Sequence, residues 1–175
     1  LFLAERRNDI TGSTIFPSLE GTRPILVEVQ ALVSNANFGT PQRNVNGFDF
    51  KRLAMLLAVL EKRIGAHMGT KDVFINLVGG LKIDDPAADL AVISAVASSS
   101  RDKLIKESVV LIGEVGLGGE VRSVSRLNER INEAKSLGFK SVIAPAANLK
   151  RMKDRIKGVD ITGVTNVGEV FHHLF

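Results

Sequence analysis

Cysteine, tryptophan and tyrosine are all absent from this 175-residue chain. Without cysteine there is neither a disulfide framework nor a thiolate metal site, and the cytoplasm is the expected compartment. With nine phenylalanines as the only large rings, stacking on single-stranded bases is disfavoured, so a nucleic-acid partner would be held through its phosphates. No apolar run approaches the roughly 20 residues of a membrane span, and nothing resembles a secretory signal. No Gly-Lys-Ser/Thr phosphate loop occurs, which confines any ATP hydrolysis to sequence outside this chain. The histidines are His67 and the adjacent pair His172 and His173; none has converging ligands at metal-binding spacing, and surface positions are expected.

What is present fits one soluble domain with a real core: 45% hydrophobic and 24% charged residues over a length that needs no staples. The net charge of +4 is unevenly spread. Arg122 to Lys157 holds ten Lys/Arg against Glu129, Glu133 and Asp154, a net +7 that leaves −3 for the remainder. Such asymmetry favours a polyanion or an anionic surface, although solvated helix faces give the same composition. There is no initiator Met and Leu1 to Arg7 reads as though mid-strand, so a fragment of a longer protein is expected.

In order, Thr14–Pro17 reads as a short strand ended by proline, and Arg23–Val33 alternates with period two as a half-buried strand. Ser34–Phe48, rich in Asn and Gly and carrying Arg43, reads as a mobile surface loop. Asp49 caps a helix with Phe50, Leu53, Ala54, Leu57, Leu60 and Ile64 inward; Gly65 ends it, and a strand follows over Val73–Val78. Ser108–Gly113 is a buried strand, Glu114–Arg122 a glycine-rich hairpin, and Ser125 the cap of a helix closed by Gly138. A strand at Ser141–Pro145, a helix over Asn148–Lys157, a strand at Val159–Val164 and a helix capped by Asn166 complete an α/β pattern. The glycines of 113–119 lack the context of a phosphate loop.

The stretch Gly79–Leu90 organises the rest. It is a strand end, a tight acidic loop and a buried helix start, a place where enzymes often present a nucleophile to free backbone N–H groups. Asp84, Asp85 and Asp89 could do acid–base work or hold a cation. The simpler account makes Asp85 the N-cap, Pro86 the first helical residue and Asp89 a favourable first-turn charge. Small residues at Ala87, Ala88, Ala91 and Ala95 permit close packing.

Several blocks carry a resemblance that covers nearly the whole chain. Gly113-Glu114-Val115, Gly119-Glu120-Val121, then Leu127, Glu129, Ala134, Gly138 and Lys140-Ser141-Val142-Ile143-Ala144-Pro145 resemble the proteolytic domain of Lon proteases. That resemblance implies a Lon-like α/β (α+β) fold of mixed sheets with βα units. In that family a Pro-Ser-Ala-Gly stretch carries the nucleophilic serine and a Gly-Gly-Leu-Lys-Glu-Lys stretch its lysine base. These fall on Pro86-Ala87-Ala88-Asp89 and Ser125-Arg126-Leu127-Asn128-Glu129-Arg130, so the dyad positions are Ala87 and Asn128. A methyl group cannot attack a carbonyl and a carboxamide cannot take the proton, so no peptidase acting by this mechanism is expected. Residual cleavage through Ser94, Ser98 or Ser125 would lack a base in register.

This degenerate pattern is similar to the C-terminal Lon-like domain of a family of bacterial RecA-related DNA repair ATPases. The resemblance implies that residues 1–13 are the end of an upstream ATPase domain or a connecting strand and 14–175 the Lon-like domain. It further implies that ATP, Mg and Zn belong to upstream modules, with no cofactor here, and that the domain forms a hexameric ring and contacts duplex DNA during branch migration. The candidate phosphate contacts are Arg43, Arg52, Lys82, Arg122 and Arg126, chosen over Lys150, Arg151, Lys153 and Arg155. The alternative is an oligomerisation scaffold whose basic surface faces neighbouring subunits or the ATPase ring.

Overall fold

The computed structural model describes residues 2–175. A seven-stranded sheet runs in the order β3 (Arg43–Asn46), β4 (Lys71–Leu77), β2 (Arg23–Asn35), β1 (Ser13–Glu20), β5 (Val109–Leu111), β8 (Ser141–Pro145), β9 (Asp160–Val164), with two characters. On one side, β2 pairs antiparallel with β1 and with β4. On the other, β5, β8 and β9 run parallel, as strands joined through helices must. A separate hairpin pairs β6 (Glu114–Val115) with β7 (Val121–Arg122), where the glycine-rich turn was expected.

Helix α2 (Asp89–Arg101) is the centre of the molecule: every residue from Asp89 to Ser99 is buried. Its alanines let it lie close on β1 and β2, and its serines tie it there. The Ser98 hydroxyl accepts from Gly12 N–H (2.9 Å) and donates to the Lys103 carbonyl (2.5 Å). The Ser99 hydroxyl accepts from Val33 N–H (2.9 Å), and Thr14 donates to the Ala91 carbonyl (2.8 Å). These bonds satisfy polar groups that would otherwise be costly to bury.

Around this centre, α1 (Phe50–Val59) is capped by Asp49, whose carboxylate accepts from Arg52 N–H (3.1 Å). It continues as a π-helical turn over Leu60–Ile64 and stops at Gly65 in the left-handed region. Helices α3 (Leu127–Ser136), α4 (Ala146–Arg151) and α5 (Val167–Leu174) follow, and Asn166 caps α5 through Glu169 N–H (2.9 Å).

Several local expectations are corrected. Phe2–Glu5 is a 3-10 turn, not a strand, and Leu1 lies outside the described residues. Pro17 does not end its strand but sits in the middle of β1, opposite Leu26. Its carbonyl points away from β2, to the side where β1 pairs with β5 only at Ile15, so its missing N–H costs no ladder bond. Arg43–Asn46 is strand β3, parallel to β4, rather than loop. Phe50 faces solvent at 54% exposure. Arg126, in the left-handed region, replaces Ser125 at the start of α3. Helix α4 stops at Arg151, with Met152 extended, well short of Lys157. Continuing it would set Arg151 against Arg155 and Lys153 against Lys157 at i,i+4, two repulsive pairs against one attractive pair, Lys150 with Asp154.

Candidate functional site

The turn after β4 passes through Gly79 and Gly80, both left-handed, and is pinned by Ile83 N–H donating to the Gly47 carbonyl (2.7 Å). Gly47 (φ 90°) is itself required, since a Cβ there would lie 2.1 Å from the Leu81 carbonyl oxygen. Asp85, extended, then caps the 3-10 turn Pro86–Ala88 by accepting from Ala87 N–H (3.1 Å), as its position before Pro86 suggests.

Both carboxylates of the helix start are committed to arginines. The second oxygen of Asp85 accepts from Arg130 Nη1 (2.7 Å). Arg130 is fully buried, also donates to the carbonyls of Pro17 and Ser125 (both 2.9 Å), and stacks over the Phe16 ring. Asp89, with no exposed surface, accepts both arms of Arg52 (Nε–Oδ1 2.7 Å; Nη2–Oδ2) and Val115 N–H (3.0 Å). Burial pushes the Asp89 carboxyl above the usual carboxylate range despite the opposing pull of Arg52 and the Val115 amide. Arg52 is held more firmly protonated by the same bond. Asp84 stays exposed, and among the described residues no cluster of three or more His, Cys, Asp or Glu could hold a metal. Asp85 is thus the cap expected of it, while Asp89 is a buried ion-pair partner rather than a solvated first-turn charge.

The backbone donors of the helix start are spent as well. Besides Ala87, the amides of Ala88 and Asp89 bond the carbonyls of Asp85 and Pro86. Leu90 N–H goes to Gly113 O (3.0 Å), while Gly113 N–H returns to Ala87 O (3.0 Å). No free pair of N–H groups remains there to hold a tetrahedral oxyanion. Ala87 is buried. Asn128 is exposed and faces a groove with Leu127, Asn148, Arg151, Met152, Lys153 and Asp154 that Ala87 does not line. Ser94 and Ser98 are sealed inside α2, and Ser125 is exposed away from any lysine or histidine hydrogen bond.

The five bases expected to face a partner are placed very differently. Arg43 is turned onto the backbone of the β3–β4 edge, donating to the carbonyls of Met68 (2.8 Å) and Lys71. Arg52 is the Asp89 partner. Arg126 grips the β1–β2 turn through the carbonyls of Gly21 (3.1 Å) and Thr22 (2.8 Å) and pairs with Glu129 (2.5 Å). Among the described residues Arg122 pairs only with Glu120 (3.1 Å), and it remains 60% exposed. Lys82 is exposed beside the turn. Arg130 was missed, although its phase gave it away: it shares the inward face of α3 with Leu127, Ile131 and Ala134.

Residues 60–175 match the family of the Lon protease (S16) C-terminal proteolytic domain. Over longer stretches the chain is similar to proteins named DNA repair protein RadA. It is 50% identical over 169 residues to that of Bacillus subtilis (97% of this chain, 37% of the relative) and 45% identical over 175 residues to that of Streptococcus pyogenes serotype M1 (100% and 38%). The Listeria monocytogenes protein is 46% identical over 169 residues (97% and 37%). The chain thus spans a little over a third of the length of these relatives.

Two outcomes follow from the closed turn. Asp89→Ala strips Arg52 and Val115 N–H of their shared acceptor and is expected to cost about 3 kcal/mol, lowering the thermal midpoint by roughly 6–12 °C in a differential scan; a shift below 1 °C (about 0.3 kcal/mol) would refute the joint. Placing serine and lysine where the resemblance maps them, Ala87→Ser and Asn128→Lys together, should leave casein and fluorogenic peptides uncut, because the oxyanion donors remain occupied. Turnover above background in that double variant would show the site to be open.

Proposed function

Because this chain belongs to the Lon protease C-terminal proteolytic domain family while holding Ala87 and Asn128 where that family keeps its serine and lysine, we propose that it is a non-catalytic Lon-like domain of a DNA repair ATPase. The observation that carries this reading is the near-half identity, over almost all of the chain, to proteins named for DNA repair. The domain acts by assembling into a ring, hexameric by resemblance, and by binding duplex DNA through its phosphates during branch migration in the cytoplasm. Residues 1–13 connect it to the upstream ATPase module, where ATP, Mg and Zn belong.

Two features support the parts of this role. For DNA, the net +7 of residues 122–157 supplies a sequence-independent attraction; of the five bases first considered, Lys82 and Arg122 keep heads available to a partner. For assembly, the sheet has a bare face. Leu32 and Phe74 stand opposite one another on β2 and β4, beside Gln30 and Asn76, and with Ile10 they line a cleft of about 450 Å³. Leu32 is 59% exposed and Phe38, at the tip of the β2–β3 connection, 92%, more apolar surface than a solitary domain needs to show. The scaffold alternative is favoured by one observation, the internal commitment of Arg43, Arg52 and Arg126.

A salt titration separates them. Log affinity for a duplex is expected to fall with log salt at about 0.9 per phosphate contact. Lys82→Glu with Arg122→Glu should weaken that binding and leave the assembly state unchanged in light scattering, while Leu32→Glu with Phe38→Glu should dissociate the assembly. Salt-insensitive or absent DNA binding by the assembled chain would favour the scaffold, as would loss of assembly on charge reversal.

A further inference from the structure

The strongest concentration of uncommitted charge lies at none of the bases discussed above. From the last turn of α4 into β9, Lys150, Arg151, Lys153, Arg155 and Lys157 face a single acid, Asp154, and all five bases are exposed. None of them enters an ion pair among the described residues. Their one side-chain hydrogen bond runs from Arg151 Nε to the Ala147 carbonyl of its own helix (3.2 Å). The stem of Lys135 from α3 lies against Gly158 and adds a sixth base to the strip.

Grooves open on the strip at two places. The first, about 480 Å³, presents Arg151 and Lys153 next to the amides of Asn128 and Asn148. The Asn148 amide is held by a pair of hydrogen bonds to the backbone of Val124, accepting from its N–H (2.8 Å) and donating to its carbonyl (2.9 Å). The second, about 500 Å³, presents Arg155 with Lys106 and His173 around the hydroxyls of Ser141 and Thr162. Each groove offers cationic heads and neutral donors, which phosphate oxygens accept from, with one carboxylate alongside, Asp154 in the first and Asp160 in the second. Neither contains a phenylalanine, so nothing in them stacks on a base.

We propose that this α4–β9 strip, with the groove vacated by the family's lysine base at Asn128, is the principal phosphate-contacting surface for duplex DNA. The inference rests on the DNA-binding role proposed above and assigns it a different surface. A polyanion lying along the strip would relieve the mutual repulsion of its bases. Recognition here is by charge and backbone spacing, with no readout of base edges.

The test uses the 175-residue chain and a fluorescently labelled duplex of arbitrary sequence, read by anisotropy across a salt series. Lys150→Gln, Arg151→Gln, Lys153→Gln and Arg155→Gln introduced together are expected to reduce affinity at low salt by about tenfold or more and to flatten the log–log slope by about 0.9 for each phosphate contact removed. The thermal midpoint should not fall, since all four side chains are exposed. A companion variant with Arg151→Lys and Arg155→Lys keeps the charge and should bind nearly as the unmodified chain does. Lys82→Gln with Arg122→Gln should produce the smaller loss. A fourfold variant with unchanged affinity and slope, beside a Lys82/Arg122 variant that loses both, would overturn the strip while leaving the DNA role intact. Absence of duplex binding by the unmodified chain at low salt would overturn both.

Discussion

The buried carboxylate of Asp89 is the constraint on which the arrangement turns. It opens the central helix, takes both arms of Arg52 from α1, and accepts the Val115 amide from the small hairpin. One side chain thereby fixes three elements that share no strand pairing. Four residues earlier, Asp85 does the same for α3 through Arg130. The start of α2 is clasped from one side by the helix that follows the antiparallel strands and from the other by the helix that leads into the parallel ones. Energy is not the main return. Burial raises the Asp89 carboxyl above its ordinary range, so the folded chain holds a proton there more readily than the unfolded chain. Its ionised form is therefore favoured less in the fold, and the contribution to stability falls as pH rises through the folded value. What the pair secures is geometry, because removing Arg52 strands Asp89 in a dry site and removing Asp89 leaves a half-buried guanidinium without its acceptor.

That geometry bears on serine–lysine chemistry independently of the two positions, 87 and 128, to which the resemblance assigns it. A serine nucleophile needs a base within reach and donors aimed at the developing oxyanion. Here the amides of Ala87, Ala88, Asp89 and Leu90 all have partners, and Gly113 closes the turn from both directions. Its closeness is enforced, since a Cβ on Gly113 would sit 2.8 Å from Val121. The turn retains the shape of a nucleophile platform and uses each of its polar groups to join strands to helix.

The parts legible in the sequence were those decided locally. The period-two run of β2, the caps at Asp49, Asp85 and Asn166, and the glycine hairpin each depend on neighbours within a few residues, and each stands in the structure. The misses were decided at a distance. Arg43 lies in a strand because β4, about thirty residues on, offers an edge. Pro17 is tolerated within β1 because no neighbour requires its N–H. Arg126 starts α3 in the left-handed region because the carbonyls of Gly21 and Thr22, more than a hundred residues earlier, hold its guanidinium. The same blindness affected the site: counting arginines cannot distinguish a guanidinium spent on carbonyls from one facing water.

Separating spent from unspent charge changes what the net +4 means. Arg6, Arg52 and Arg130 pair with Glu28, Asp89 and Asp85 in buried or half-buried settings. Each pair removes one charge of either sign from the surface, so it leaves the total unchanged but concentrates what remains. The residue of that cancellation is a strip of mostly like charges on a short helix and its exit. A single strip of five bases makes few phosphate contacts and is easily screened, because exposed charges weaken beyond a Debye length of about 8 Å at physiological salt. Repetition would alter that balance. If copies assemble around one duplex, later contacts form at the high effective concentration set by the first, and a modest basic strip on each copy suffices without base-specific contacts.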